Sequence, residues 1–461
     1  MGFMMSASTI RLASPATQVA RNDGARDQEW IDEATVCPIG VPVAPRTVGE
    51  TGLTFLSLVE LTTKIFFQCG QMRLIELAER SKLSVGVLEP ILSFMRTERL
   101  CEVHKRGEAE TDITYTLTEL GRLRAQDFLQ RNQYAGAAPV SLKAYIDRVG
   151  QQSVTDMRIT RDQVWQVFAG IVIKEHILDQ FGVAMNSGRS IFVHGPAGSG
   201  KTFIAEKMIR LLSGTVFIPY AIAVDTEIIQ VFDPLVHKPV AETGVSRRLL
   251  ERQEAYDERW VRCLRPTVVA GGELTLSMLE LDFDENARYY SVPPQVKANN
   301  GMLIIDDLGR QLVQAQDLMN RWIVPLDRRV DYLSLHTGKK FMMPFDVTVV
   351  FCTNLSPAAL SDEAFLRRLG HKIYIGELDE QDYGRIFRKV CEEMKIEFSE
   401  AGLNYVVHQL HVRDQKKLLA CIPRDLLGQV RDIARYEGIE PAISPEVLER
   451  AWGNYFVRTD A

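Results

Sequence analysis

Most of this chain is predicted to be an α/β fold with a mainly parallel sheet, preceded by a smaller unit of helices and a hairpin. Three observations predict it. From about Ser141 to Tyr455, short apolar runs alternate with amphipathic helical stretches, the pattern of successive βα units. One glycine-rich octapeptide stands between such an apolar run and a helical one. Between about Glu50 and Asn132, three helical patterns precede a pair of alternating runs. The chain has 461 residues, 46% of them hydrophobic and 25% charged, which is a globular balance long enough for several domains. No apolar stretch approaches the ~18 residues of a membrane span. The net charge of −6 excludes a globally basic nucleic-acid coat, though not a local basic patch.

Taken in order, Met1 to about Val36 is polar and aperiodic and carries no uninterrupted apolar signal region. Met1-Gly2…Ser6 fits a myristoylation pattern only formally, since the pattern is short and Met4 or Met5 offers another start. Cys37 to Arg46 contains three prolines and reads as an extended linker. In the unit that follows, Leu53–Gln68 and Leu74–Arg80 are helical. Ser84 is a plausible N-cap for a third helix through Arg99. Cys101–His104 and Ile113–Leu117 form a hairpin around the tip Lys105–Asp112, and Thr118–Leu129 returns to helix. Tyr134–Val140 is a second linker. The seven cysteines have no C-x-x-C spacing, which predicts reduced thiols and a cytoplasmic protein.

This first unit resembles a winged helix-turn-helix domain. DNA reading is nevertheless disfavoured. The third helix opens Ser84-Val85-Gly86-Val87-Leu88-Glu89-Pro90 without the Lys or Arg that base and phosphate contacts need. Pro90 should also kink or reset that helix. At the tip, Glu108, Glu110 and Asp112 offset Lys105 and Arg106. A protein-interaction module is the preferred reading.

The octapeptide is Gly195-Pro196-Ala197-Gly198-Ser199-Gly200-Lys201-Thr202, set between the strand Ile191–His194 and the helix Phe203–Leu212. Its glycines let backbone N–H groups wrap a phosphate chain at a helix N-terminus. Lys201 would neutralise β- and γ-phosphate charge, and Thr202 would hold Mg²⁺. Met302–Ile305 is a buried strand that delivers Asp306 and Asp307 at its C-terminal end, where ligands sit in open α/β sheets. Asp306 would hold Mg²⁺ through water, and Asp307 would orient the attacking water.

With these motifs the chain resembles the AAA+ ATPases, over about Trp165 to Tyr455. Val347–Phe351 is another strand, and after it Asn354 matches the sensor-1 residue. Asp362–Arg368 resembles the helix that offers an arginine finger to the next subunit, with Arg368 slightly preferred over Arg367. Simple surface pairing with Asp362 or Glu363 is the alternative for both. Ile422-Pro423-Arg424-Asp425-Leu426-Leu427 resembles sensor 2 in a helical lid, Arg424 reaching the γ-phosphate. Phe181–Asn186 occupies the place of the segment that cups the adenine.

One departure from the family is Asp307, where Glu is usual. The shorter side chain predicts slow hydrolysis or a compensating shift of the strand. Val216–Ala223 should be the strand after the P-loop helix, and Arg247–Arg262 a charged helix. Thr267–Ala270 and Leu274–Leu281 should form a hairpin around Gly271-Gly272. Tyr332–Leu335 and Phe341–Met343 should form another around His336–Lys340. Such hairpins resemble those of MoxR-like AAA+ proteins, where they face pore or partner, and peripheral embellishment is an equal alternative.

The organisation expected is a tail and linker over 1–49, a winged-helix-like domain over 50–132, and a linker over 133–160. An AAA+ α/β nucleotide-binding domain over 161–376 with an insertion at about 225–300 follows, then a helical lid over 377–461. The function expected is an ATP-hydrolysing machine, in a self-assembled ring most simply a hexamer, that remodels or assembles an unidentified protein partner. The alternatives are an ATP-gated DNA-binding regulator or loader, and a nucleotide-state switch with negligible turnover.

Overall fold

The computed structural model describes residues 40–106, 113–240, 256–357 and 367–456. The N-terminal unit contains α1 (Phe55–Cys69), α2 (Leu74–Ser81), α3 (Val85–Thr97) and α4 (Glu119–Arg131). A three-stranded antiparallel sheet completes it, β1 (Met72–Arg73) and β2 (Cys101–Arg106) flanking β3 (Ile113–Leu117). Thr54 and Thr118 accept the Ser57 and Gly121 amides and start α1 and α4. Leu58, Ile65 and Phe66 of α1 and Val87, Leu88 and Ile91 of α3 share one apolar core. Pro90 does not reset α3, which runs on through it. Five residues into the helix, it forgoes one backbone bond, and its ring lies on the exposed face. Ser84 holds the N-cap position but makes no cap; its hydroxyl donates to the Pro45 carbonyl at 3.0 Å. The hairpin tip at 107–112 lies outside the described residues, as do the N-terminal tail and Cys37.

The span 133–160, expected as linker, carries regular structure. β4 (Val140–Ser141) runs into α5 (Leu142–Gln151), whose first turn Ser141 caps through the Ala144 amide. The insertion is organised differently from expectation. The run Val216–Ala223 divides at Tyr220 into β6 (Thr215–Pro219) and β7 (Ala221–Val224). β6 pairs antiparallel with β9 (Trp260–Leu264), so the last part of the expected Arg247–Arg262 helix is extended; its first part lies outside the described residues. β7 pairs with β4 on one side and with β8 (Glu227–Gln230) on the other, opening a sheet that continues through β12 (Tyr289–Ser291) to β11 (Asp282–Asp284).

This insertion carries the N-terminal unit. The buried Arg259 guanidinium, paired with Asp257, donates to the Thr51 carbonyl at 3.0 Å and to the Pro139 carbonyl at 3.3 Å. Gln133 N–H donates to the Ala287 carbonyl, and Tyr134 meets Tyr289 edge to face.

The core is a parallel sheet in the order β10 (Thr267–Ala270), β13 (Gly301–Ile305), β16 (Val347–Thr353), β5 (Ile191–His194), β17 (His371–Tyr374). Every residue of β13 and β16 is buried, as expected for strands covered on both faces. The hairpin expected around Gly271-Gly272 is absent: β10 is the edge strand of this parallel sheet, and beyond it the chain forms a 3-10 turn at Ser277–Leu279. Alternating apolar residues suit antiparallel pairing equally well, but the buried β13 edge supplies the closer partner. The second hairpin does form, from β14 (Val330–Ser334) and β15 (Lys340–Pro344). α6 (Arg161–Val167), α7 (Glu175–Ser187) and α8 (Lys201–Met208) contribute to the cluster on one side of the sheet, and α9 (Ala315–Arg328) to that on the other.

Helices α10 (Glu380–Met394), α11 (Glu400–Tyr405), α12 (Ile422–Glu437) and α13 (Pro445–Tyr455) form the C-terminal lid around Tyr383, Phe387, Leu426 and Trp452. The fold is therefore an α/β core built on a parallel sheet, with a helical lid at its C-terminal end. Among the described residues, no helix is long and apolar enough to cross a membrane.

Candidate functional site

The octapeptide lies where β5 meets α8, at the carboxyl edge of the parallel sheet. Two of its glycines are required by close approach. A Cβ on Gly195 would stand 1.9 Å from the Ile375 carbonyl oxygen. On Gly198, at φ +79°, it would stand 2.4 Å from Cys421 Sγ of the lid. Gly200, at φ 91°, is the N-cap of α8, a left-handed position that suits glycine. The Ser199 hydroxyl is buried within the loop with no protein partner. A buried orphan donor, a glycine cradle and a helix N-terminus together fit a phosphate chain.

A chain of polar contacts crosses the loop. The buried Lys201 ammonium donates to the Gly195 and Pro196 carbonyls at 3.1 and 2.8 Å and to Asn354 Oδ1 at 2.6 Å. Asn354 Nδ2 in turn donates to Asp307 Oδ1 at 3.3 Å. Thr202 Oγ1 lies 2.9 Å from both Asp306 oxygens. Burial lowers the Lys201 pKa, and the carboxylates of Asp307 and Asp306 work against that shift. Neighbouring Cys352, near the end of β16, is pushed up to about 12 by burial and is an inert thiol. Among the described residues there is no cluster of three or more His, Cys, Asp or Glu that could hold a metal alone. A hydroxyl and a carboxylate in contact instead match the way Mg²⁺ is bound, by few protein groups together with substrate phosphates.

The loop forms one wall of a cleft of about 780 Å³, the size of a small-molecule site. Ala197 through Ile204 line it, with Asp307, Arg310 and Asn354 at one end. Arg424 lines it from the first turn of α12 and pairs with Glu393 of α10. The lid bears directly on the loop, for Cys421 N–H donates to the Gly198 carbonyl at 3.0 Å.

The expected adenine segment does not reach the cleft. Phe181 is fully buried in α7 and stacks on Phe168. The apolar lining comes instead from the segment Ile171-Val172-Ile173 just ahead of α7, together with Ile375, Leu378, Ile386 and Val390. The helical periodicity of Phe181–Met185 marks core packing, whereas the β-branched triplet beside Gly170 was the available signal. Arg310 and Lys389 also line the cleft and were not anticipated. Arg367 and Arg368 do not line it. Arg368 pairs with Asp327 of α9 at 2.8 Å, as a surface arginine would, and the acids expected to pair with it, Asp362 and Glu363, lie outside the described residues. The helix expected over Asp362–Arg368 lies outside the described residues except for its last two positions.

A family model described as a domain of unknown function, DUF8689, matches residues 379–454, which is the lid. No curated protein matches the chain. Among solved structures, NtrX from Brucella abortus in complex with ADP is similar at 15% identity and a TM-score of 0.38, covering 62% of this chain and 56% of that one. NtrX in complex with ATP gives 13% and 0.38, with 72% and 64% covered. The Thermotoga maritima RuvB Holliday junction branch migration motor gives 12% and 0.35, with 60% and 68% covered. The chain thus spans less than two thirds of the length of either NtrX structure. Likeness this distant says nothing of substrate or partner.

Proposed function

We propose that this chain binds ATP with Mg²⁺ and hydrolyses it, as an oligomer, to remodel or assemble a protein partner. The observation that carries the reading is the continuous contact from Lys201 through Asn354 to Asp307 beside the Thr202–Asp306 pair. Lys201 and the loop amides grip the β- and γ-phosphates. Asp307, oriented by Asn354, holds the attacking water on the γ-phosphorus, and the bond to the β–γ bridging oxygen breaks as ADP leaves. Thr202, and Asp306 through water, would hold Mg²⁺, whose charge would offset that of the phosphate oxygens. The apolar triplet Ile171–Ile173 receives the base. In this reading the lid matched by DUF8689 closes the nucleotide cleft and presents Arg424 to it.

Arg367 or Arg368 of one protomer would complete the site of the next, which is why the reading includes a ring. The N-terminal unit would then hold a protein rather than DNA. The start of α3 is covered by the segment ahead of the unit: Ser84 bonds the Pro45 carbonyl, and the Arg46 carbonyl lies 3.5 Å from where a Gly86 Cβ would be. A helix-turn-helix reader needs that end free in the groove. The test is steady-state ATP turnover across a range of protein concentration. Specific activity should rise with concentration and fall in mixtures with an Arg367→Ala/Arg368→Ala chain. Turnover strictly proportional to concentration would remove the ring.

A further inference from the structure

The acid at position 307 is one methylene shorter than the glutamate its resemblance leads one to expect, and the backbone beneath it has an unusual shape. Asp307 takes a left-handed conformation at φ 48°, and Gly309 follows at φ 99°. Between them the chain closes a tight turn in which Arg310 N–H donates to the Asp307 carbonyl at 2.9 Å. Gln311 pins the turn: its Oε1 accepts the Gly309 amide at 2.8 Å, and its Nε2 donates to the Asp306 carbonyl at 3.0 Å. Leu308 N–H donates to the Cys352 carbonyl, fastening the turn to β16. A non-glycine residue at positive φ costs on the order of 1 kcal/mol and needs such support to persist.

The product of this turn is the placement of one side chain. Arg310 lines the cleft and brings its guanidinium to 4.0 Å from Asp307 Oδ2. The other oxygen, Oδ1, is the one that Asn354 Nδ2 reaches. One carboxylate oxygen thus accepts from an amide, and the other faces a guanidinium across 4.0 Å, an ion-pair distance longer than a hydrogen bond.

We propose that Arg310 is a positioning residue for hydrolysis, acting from the same chain to fix the Asp307 carboxylate toward the attacking water and so compensating for the missing methylene. This rests on the nucleotide reading given above. Arg310 differs from the arginines expected from a neighbouring protomer in that it acts through an acid rather than on the phosphates. A displacement of ~1 Å in a water-orienting group can cost on the order of 10²-fold in rate.

The experiment measures kcat, KM and direct MgATP affinity for the full chain and for Arg310→Ala, Arg310→Lys, Asp307→Asn and the Arg310→Ala/Asp307→Asn double variant. The proposal expects kcat to fall about 10–100-fold in Arg310→Ala with affinity changed less than about threefold, and partial recovery in Arg310→Lys. The double variant should be no slower than Asp307→Asn alone, because Arg310 acts only through that carboxylate. Losses that multiply in the double variant, or a tenfold loss of affinity in Arg310→Ala, would overturn the proposal by showing direct action on the nucleotide. So would unchanged kcat in Arg310→Ala against an active parent chain. A parent chain that neither binds nor turns over ATP would overturn the nucleotide reading itself and this role with it.

Discussion

Adding one methyl group at Gly198 tests whether the lid and the loop work as one site. The new Cβ would stand 2.4 Å from Cys421 Sγ and 3.5 Å from its Cβ. Carbon and sulfur cannot approach within about 3.4 Å without displacement, so either the Cys421 side chain rotates away or, if it stays, the lid rises by roughly 1 Å. A lid that rises stretches the 3.0 Å bond from Cys421 N–H to the Gly198 carbonyl. The backbone adds its own cost, since alanine at φ +79° is disfavoured by about 1 kcal/mol. Together these predict a loss of about 2–3 kcal/mol in lid docking for Gly198→Ala. Turnover should fall on the order of 10²-fold, because Arg424 and Glu393 move with the lid. Adding Cys421→Ala to the same chain removes the clashing sulfur and leaves a 3.5 Å contact. The double variant should regain most of the loss and retain only the backbone part, about a fivefold deficit. Steady-state ATP turnover with MgATP titration on the single and double variants measures this. A Gly198→Ala chain with parental turnover, or one that Cys421→Ala does not improve, would refute the coupling.

Asp307→Asn keeps the shape of the side chain and its contact with Asn354 but removes the acid. It should lower turnover at least about 100-fold while MgATP binding persists, and unchanged single-turnover hydrolysis would show that another group orients the water. A pH effect follows from His411 in the lid. Burial lowers its pKa below the usual value, while its Nδ1 faces the Lys416 carbonyl, its Nε2 the Tyr383 hydroxyl, and its ring the edge of Trp452. The folded state keeps this ring neutral, so its contribution to stability is complete above the ordinary histidine value of about 6.5 and declines as pH falls below it. Thermal unfolding from pH 7.5 down to 5.5 should therefore show a smaller drop in Tm in His411→Gln than in the parent chain. Equal slopes would place the acid sensitivity elsewhere.

Much of the core could be read from the residues alone. Buried parallel strands are continuous apolar runs, and Ile191–His194, Met302–Ile305 and Val347–Phe351 announced themselves as such. The loop before Lys201 was legible because its glycines stand at the fixed spacing that a phosphate-wrapping loop would need. The insertion was not legible in the same way. Thr267–Ala270 has the same β-branched composition whether it pairs in a hairpin or in the core, and only the long-range contact with β13 decides. Arg247–Arg262 carries charges at helical spacing, yet at its end Trp260 is buried in β9, a strand that runs on beyond it. The apolar wall of the cleft was missed because Phe181–Met185 and Ile171–Ile173 are both apolar, and periodicity points to the former as core without saying that the latter is exposed to a cleft. Arg310 escaped notice because its placement depends on two positive φ angles that no composition reveals.

The account stands most directly on the grip of the loop on a triphosphate. Equilibrium titration of the full chain with MgATP, in parallel with Lys201→Ala, tests it in one measurement. Lys201 is buried against the Gly195 and Pro196 carbonyls, and its loss removes the charge that faces the phosphates. Saturable binding by the parent chain, with affinity at least about 100-fold weaker in a folded Lys201→Ala chain, is the predicted result. Equal affinity in the two chains, or no saturable binding by the parent, would contradict it.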